Sequence, residues 1–181
     1  MKQRKPPRIP TPAYLEKAAL HYLERYAASA EGVRRVLMRK VERAAREGLA
    51  DRAQGAADVA ALVEKLVARK LIDDAGFAEG RALSLARRGL PRGQIVQRLK
   101  IKGVAADAMA HAVSALDEAG ATDRTAAWLF AKRKRLGPFC ADPAKRKELR
   151  LKHLGAMARA GFEGDIARRV VDAERADEPQ D

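Results

Sequence analysis

The chain has 181 residues, the length of one ordinary domain or of a few small units. It contains 38 alanines and 18 leucines, against 19 valine, isoleucine and threonine residues together. Ala and Leu lose little side-chain freedom in a helix. Hydrophobic residues reach 47%, too many for a disordered chain, although aromatic residues make up only 4%. The composition therefore excludes an all-β fold and predicts an all-α protein.

The charge is strongly positive, with 37 Lys and Arg against 24 Asp and Glu and a formal net charge of +13. Residues 81–104 contain seven cations and no acid, and residues 132–152 contain nine cations and two acids. Such local excesses predict a polyanionic partner, which is nucleic acid, a nucleoprotein or an anionic membrane. They suit acidic protein surfaces equally well. Solvated helix faces are the structural alternative.

The single cysteine, Cys140, excludes disulfides within the chain and cysteine-based metal sites. No stretch approaches the roughly 20 apolar residues of a membrane span. The basic N-terminus lacks the apolar run of a signal peptide. We therefore expect a cytoplasmic protein with no membrane partner. Residues 1–10 are predicted to be a disordered basic arm, and residues 177–181 an acidic tail.

A glycine followed by an apolar residue occurs three times, at Gly48-Leu49, Gly103-Val104 and Gly161-Phe162. Glycine suits the left-handed position just past a helix end, and the apolar residue after it packs back on the last turn. Each glycine therefore predicts a helix before it. These helices are expected at about 30–47 behind Ser29, about 92–102 with Pro91 at its start, and about 143–160 behind Asp142.

A helix is also predicted after each glycine, from apolar residues spaced at i, i+3, i+4 and i+7. The three copies of this stripe are Val59, Leu62, Val63 and Leu66; Met109, Ala112, Val113 and Leu116; and, interrupted by an arginine, Ile166, Arg169, Val170 and Ala173. Residues 49–58 are expected to be a spacer before the first of these helices.

A further helix is predicted to open each unit, beginning near Thr11, at the Asp73-Asp74 pair and at Thr122. We interpret the aspartate pair as helix-capping residues rather than metal ligands. The chain then reads as three tandem three-helix repeats at 11–71, 72–120 and 121–176, which predict an elongated, curved helical array.

Groups that could carry catalysis are sparse. His21, His111 and His153 fall on different predicted helices and are interpreted as helix-surface residues. No nucleotide-cradling or hydrolase motif is present. We expect no catalytic residue, no metal site and no cofactor. Trp128 and Phe130 are predicted to pack in the core, whereas Ile101 falls opposite its helix's apolar stripe and has no predicted core.

The candidate binding surface consists of cations from the two basic stretches. Those of the first stretch flank the core stripe formed by Ile95 and Leu99, so several are expected to project together. Such cations bind phosphates without reading sequence. The candidate residues are Arg87, Arg88, Arg92, Arg98, Lys100, Lys102, Lys132, Arg133, Lys134, Arg135, Lys145, Arg146 and Lys147.

Two adjacent segments resemble motifs of a known family. Residues 71–78 read LIDDAGFA, similar to the LIDDxxFA signature of the bacterial recombination regulator RecX. Residues 89–104 read GLPRGQIVQRLKIKGV and resemble that family's GPxxIxxxLxxKGV segment, with the proline one place late. The GFEGDI of residues 161–166 is similar to the family's C-terminal GFxxxxI, and ALHYL at 19–23 to its N-terminal ALxYL.

The resemblance implies tandem three-helix repeats and a regulatory function. A member of this family binds the RecA recombinase filament on DNA and modulates it, usually by lowering its ATPase, strand-exchange and co-protease activities in recombination and the SOS response. The implied partner is the filament on DNA. The basic stretches indicate that single- or double-stranded DNA is bound without sequence preference, and we expect a monomer.

Two other functions are compatible with the residues. One is a sequence-tolerant DNA-binding helical protein acting independently of RecA, because three-helix units with basic second helices also describe helix-turn-helix modules. The other is an enzyme acting on nucleic acid, which needs acids or histidines near the basic surface. Residues 81–104 contain none.

Overall fold

The computed structural model describes residues 7–176, which form nine α-helices and no strand. The predicted all-α fold is confirmed. The predicted acidic tail, and residues 1–6 of the predicted basic arm, lie outside the described residues. The helices are α1 (Pro12–Leu23), α2 (Ala30–Arg46), α3 (Arg52–Ala68), α4 (Asp74–Arg87), α5 (Arg92–Ile101), α6 (Ala106–Glu118), α7 (Asp123–Lys134), α8 (Arg150–Arg159) and α9 (Gly164–Asp172), with short 3₁₀ turns at Gly137–Phe139 and Pro143–Lys145.

Backbone contacts group the chain into two compact units. The first unit comprises the chain up to Phe77 together with Lys102–Ala105. The second comprises Ala78–Ile101 and the chain from Ala106 onwards. The division into three repeats stays a prediction.

The core of the first unit lies where α2 and α3 pack on each other and α1 packs on both. Leu15 of α1, Leu37 of α2 and Leu66 of α3 are almost completely buried there. Burying one such leucine stabilises a fold by about 1.5–3 kcal/mol. All four residues of the apolar stripe predicted for α3 are buried, which confirms it.

The expectation that residues 49–58 are a spacer is wrong, because α3 already begins at Arg52. Asp51 caps the helix by accepting a hydrogen bond from the Gln54 amide at 2.6 Å. Gly55 lies against Val41 of α2, where any other side chain would collide with the valine. The additional turns of α3 thus pack on α2.

The second unit has an aromatic-centred core built from α7, α8 and α9. Trp128 is 3% exposed, and the Phe130 ring packs 5.4 Å from that of Phe162. Both residues therefore lie in the core or against it, as predicted. Ile101 is exposed, in agreement with its lack of a predicted core.

The stripe predicted for α9 is confirmed in part, because Val170 is buried and Ile166 and Ala173 pack partly buried against the core. The residues that α9 buries are Ala167, Val170 and Val171, whereas Ile166 is only half-buried and Arg169 is exposed. The helix is oriented so that Ala167 and Val171 are buried together with Val170, and the charged Arg169 faces solvent.

The predicted glycine turns are present. Gly48, Gly103 and Gly161 adopt left-handed φ angles of 69°, 75° and 86°. Two of the following apolar residues close the turn in the expected way, because the Leu49 and Phe162 amides donate to carbonyls five residues earlier. Each of these helices therefore ends where its glycine indicates.

The helix predicted at about 143–160 starts late, at Arg150. Asp142 accepts a hydrogen bond from the Ala144 amide, but it caps only the 3₁₀ turn Pro143–Lys145. The Arg146 guanidinium donates to the carbonyl oxygens of Val171 and Ala173 at the end of α9. Residues 146–149, where this contact forms, are not helical. The capping residues before them predict a helix, so they do not indicate this.

The aspartate pair that opens α4 caps two helices. Asp73 accepts a hydrogen bond from the Gly76 amide at 2.9 Å and so caps α4, as predicted. Asp74 accepts one from the Ala30 amide, the first residue of α2, at 2.7 Å. Ser29 completes the cap of α2 by accepting from the Gly32 amide, and its hydroxyl donates to the Lys102 carbonyl. The motif thus fixes the start of a helix far away in sequence.

The same arrangement recurs at the start of α7. Thr122 accepts a hydrogen bond from the Thr125 amide and caps α7. The next residue, Asp123, accepts one from the Arg92 amide, the first residue of α5, at 2.6 Å. In both places the first residue of one helix caps an earlier helix, which is the kind of correspondence that tandem repeats produce.

Replacing either aspartate of the pair should destabilise the protein, by different amounts. We expect Asp73→Ala to cost about 1 kcal/mol, the usual value for losing an N-cap. Asp74→Ala should cost about 1–3 kcal/mol, because it leaves the partly buried Ala30 amide without its charged acceptor. Urea denaturation would measure both, with Asp74→Asn as a control that retains an oxygen. An Asp74→Ala variant as stable as the parent would contradict this role.

Candidate nucleic-acid interface

The turn after α4 places two candidate arginines beside α7. Arg87 and Arg88 are exposed at the end of α4, and Gly89 follows them with φ of +70°. A Cβ atom at Gly89 would lie 2.8 Å from the Phe130 amide nitrogen and 2.9 Å from the Ala126 carbonyl oxygen. Only glycine allows this approach, so the turn rests directly on the α7 backbone.

The basic end of α7 lies at the same place. All four residues of the run 132–135 are exposed. Arg133 donates a hydrogen bond to the Arg88 carbonyl, and its guanidinium lies 5.6 Å from the centre of the Phe130 ring. The two basic stretches of the sequence therefore meet here. We call this group the α4–α7 basic cluster; it consists of Arg87, Arg88, Lys132, Arg133, Lys134 and Arg135.

No member of the cluster forms an ion pair with an acid within residues 7–176. Cations at helix C-termini stabilise the helix because they compensate its dipole, which accounts for part of the pattern. Six cations at two helix ends also repel one another. The cluster is therefore a surface of concentrated positive charge that an anionic ligand would stabilise.

Other candidate cations have partners within the protein. Arg92 forms a two-pronged ion pair with Asp117, both bonds 2.7 Å long, and this hydrogen bonding holds the pKa of Asp117 below its ordinary value. Arg146 is bonded to carbonyl oxygens of α9, as described above. Lys145 lies 3.7 Å from Asp142. Their charges are partly compensated before any ligand binds.

The remaining candidates lie elsewhere. Arg98 and Lys100 are exposed towards the end of α5, and Lys147 is exposed before α8. Lys102 is exposed but belongs to the first unit. The sequence suggests one surface of thirteen cations, whereas the contacts of the described chain join six of them into the cluster.

The prediction that His153 lies on a helix surface is wrong. The residue is 5% exposed, and its Nδ1 accepts a hydrogen bond from the Gly137 amide at 3.1 Å. Burial is the main cause that lowers the pKa of His153, and the charges of Lys152 and Arg146 add to it. Its spacing of four from the buried Met157 was the available sequence signal.

The other two histidines are exposed, as predicted. His111 pairs with Glu79 at 2.9 Å, and His21 lies 3.7 Å from Glu24. In residues 7–176, no group of three or more His, Cys, Asp and Glu side chains is arranged to hold a metal ion. No helix of that range is long and apolar enough to cross a bilayer.

The described chain is a packed set of helices with exposed cations gathered at two helix ends. The chain is 44% identical to "Regulatory protein RecX" of Myxococcus xanthus (strain DK1622), over 97% of this chain and 94% of that protein. It is 32% identical to "Regulatory protein RecX" of Agrobacterium fabrum (strain C58 / ATCC 33970), over 88% of this chain and 82% of that protein. The chain belongs to the RecX family of regulatory proteins. No protein-family model and no solved structure matches it.

The buried histidine should make stability depend on pH. Because the pKa of His153 is lowered in the folded protein, the unfolded chain binds more protons once the pH falls to about 6.5. The free energy of unfolding should therefore decrease as the pH falls from 7.5 to 5.5, by urea denaturation. His153→Asn, which keeps an acceptor at the same position, should remove most of this dependence. His21→Asn is the exposed control, and equal slopes for both variants would contradict the assignment.

Proposed function

We propose that the protein binds the RecA filament on DNA and lowers the ATPase, strand-exchange and co-protease activities of RecA during recombination and the SOS response. The family supports a regulatory role, and the sequence resemblance supplies RecA as the target. The observation that carries the contact with DNA is the α4–α7 basic cluster, in which two separated basic stretches meet.

The cluster is suited to phosphates rather than to bases. Its cations would displace condensed counterions from a nucleic acid backbone, a contribution that is independent of sequence. Base stacking requires exposed aromatic rings, but Trp128 is buried and Phe130 packs beneath Arg133. We therefore propose that single- or double-stranded DNA is bound without sequence preference.

Regulation of a filament also requires contact with protein. A chain that touches DNA phosphates and recombinase protomers together gains affinity from contacts that are individually weak. We propose that the protein acts in this way as a monomer in the cytoplasm.

The proposal can be tested on RecA ATPase with a variant of the cluster. Replacing Arg88, Lys132, Lys134 and Arg135 by glutamine removes four charges, and glutamine preserves helical propensity at the two positions within α7. Arg133 is kept because it bonds to the Arg88 carbonyl. The matched control replaces four exposed cations of the first unit, Lys17, Arg25, Arg39 and Arg46, by glutamine. DNA-dependent ATPase of RecA would be measured at two salt concentrations with each protein.

We expect the parent and the control to inhibit the ATPase, and the cluster variant to inhibit it far less. In DNA binding, the salt dependence of the cluster variant should be shallower by about one unit of log–log slope for each phosphate that is no longer bound. Equal inhibition by the cluster variant and the control would refute the role of the cluster. A parent that binds bare DNA as tightly as RecA–DNA, and leaves the ATPase unchanged, would indicate a DNA-binding protein that acts independently of RecA.

A further inference from the structure

The outer face of α8 carries an exposed leucine. Leu151 is 77% exposed, the highest value among the large hydrophobic residues that the structure describes. The helix buries His153 and Met157 on its inner side. At 100° per residue, Leu151 and Ala158 lie on the opposite side. Exposing an isolated leucine to this degree contributes nothing to the core.

Three cations lie on the same helix as this leucine or just before it. Lys147, Lys152 and Arg159 are exposed, and none of them forms an ion pair with a carboxylate within the described chain. The one acid between residues 145 and 160 is Glu148. The result is an apolar side chain on a mostly positive stretch of the chain.

The helix dipole of α8 accounts for Arg159, which lies in its last turn, but not for Lys152. The helix has no acid in its first turn and no side-chain cap. Arg150 there is paired with Asp172, but Lys152 adds a second positive charge near the positive end of the helix dipole, which is unfavourable. The arrangement is more easily understood if an anionic partner compensates it.

The surroundings favour a protein over a nucleic acid. The cleft of about 440 Å³ beside Lys147 does not include Leu151: Arg146, Arg150, Asp172 and Glu174 line it, and Asp172 is already paired with Arg150 there. An exposed leucine adds nothing to a phosphate contact, so the apolar side chain of Leu151 favours a protein partner. An apolar anchor inside a charged rim is instead typical of the energetic centre of a protein–protein interface.

We propose that Lys147, Leu151, Lys152 and Arg159 form a docking surface for an acidic protein segment that inserts an apolar contact against Leu151. This inference rests on the proposed function. It assigns the acidic segment to the RecA protein, so this surface would contact RecA and not the DNA that RecA binds. A second copy of this chain fits less well, because pairing the same face with itself would bring like charges together.

The surface can be tested with the full chain and two separate probes, RecA without DNA and a single-stranded oligonucleotide without RecA. The variants are Leu151→Gln and the combination Lys147→Gln, Lys152→Gln and Arg159→Gln. Leu20→Gln on α1 is the matched control, since Leu20 is also exposed but lies near Glu16 and Glu24. Anisotropy of the labelled chain measures affinity, and urea denaturation checks that each variant is folded.

We expect Leu151→Gln to weaken binding to DNA-free RecA about tenfold, the usual effect of losing an interface anchor, and to leave oligonucleotide affinity unchanged. The charge variant should weaken RecA binding more at low salt than at high salt. Leu20→Gln should bind like the parent.

Three results would overturn the docking surface. One is unchanged RecA affinity in both variants, or no parental binding to DNA-free RecA. Another is a parallel loss on the oligonucleotide, which would indicate a nucleic-acid surface. The third is a parental dimer in sedimentation velocity that Leu151→Gln abolishes. None of these decides the proposed function, which depends on the ATPase response to the cluster variant on DNA.

Discussion

The amide groups at the start of a helix have no partner within the helix, and this constraint organises the fold. Asp74 accepts a hydrogen bond from the first amide of α2, and Asp123 accepts one from the first amide of α5. Each aspartate is itself the first residue of a later helix. Each hydrogen bond thereby completes the start of one helix with the first residue of another. Because the acceptor is a carboxylate, the bond is charge-assisted and stronger than a neutral one. The starts of two helices that are distant in sequence are thus joined by one bond.

The position of the basic residues follows from such contacts. The Gly89 turn rests on the α7 backbone, so the ends of α4 and α7 meet although their basic residues are more than forty positions apart. Gathering like charges is unfavourable in the unbound protein. Helix dipoles and the bond from Arg133 to a backbone carbonyl offset part of that cost. The electrostatic repulsion that is not offset favours binding of an anion.

Ion pairs within the protein determine which cations remain available. The pair of Arg92 with Asp117 and that of Arg150 with Asp172 are largely exposed, so they contribute little to stability. Their main effect is to compensate two arginines that the sequence alone groups with the others. The surface charge is thereby concentrated in the α4–α7 basic cluster and around Leu151, two places with different chemistry. One presents cations alone, and the other combines cations with an apolar side chain.

The sequence by itself determined the helical class, the glycine turns, the Asp73 cap and the buried stripe of α3, because each depends on residues within one or two turns of one another. Recognition of the family rests on the same local motifs. Tertiary structure alone decided that Asp74 caps α2 and that residues 146–149 are not part of α8. It also decided which cations meet. These features depend on contacts between residues far apart in the chain, and neither periodicity nor capping preference contains that information.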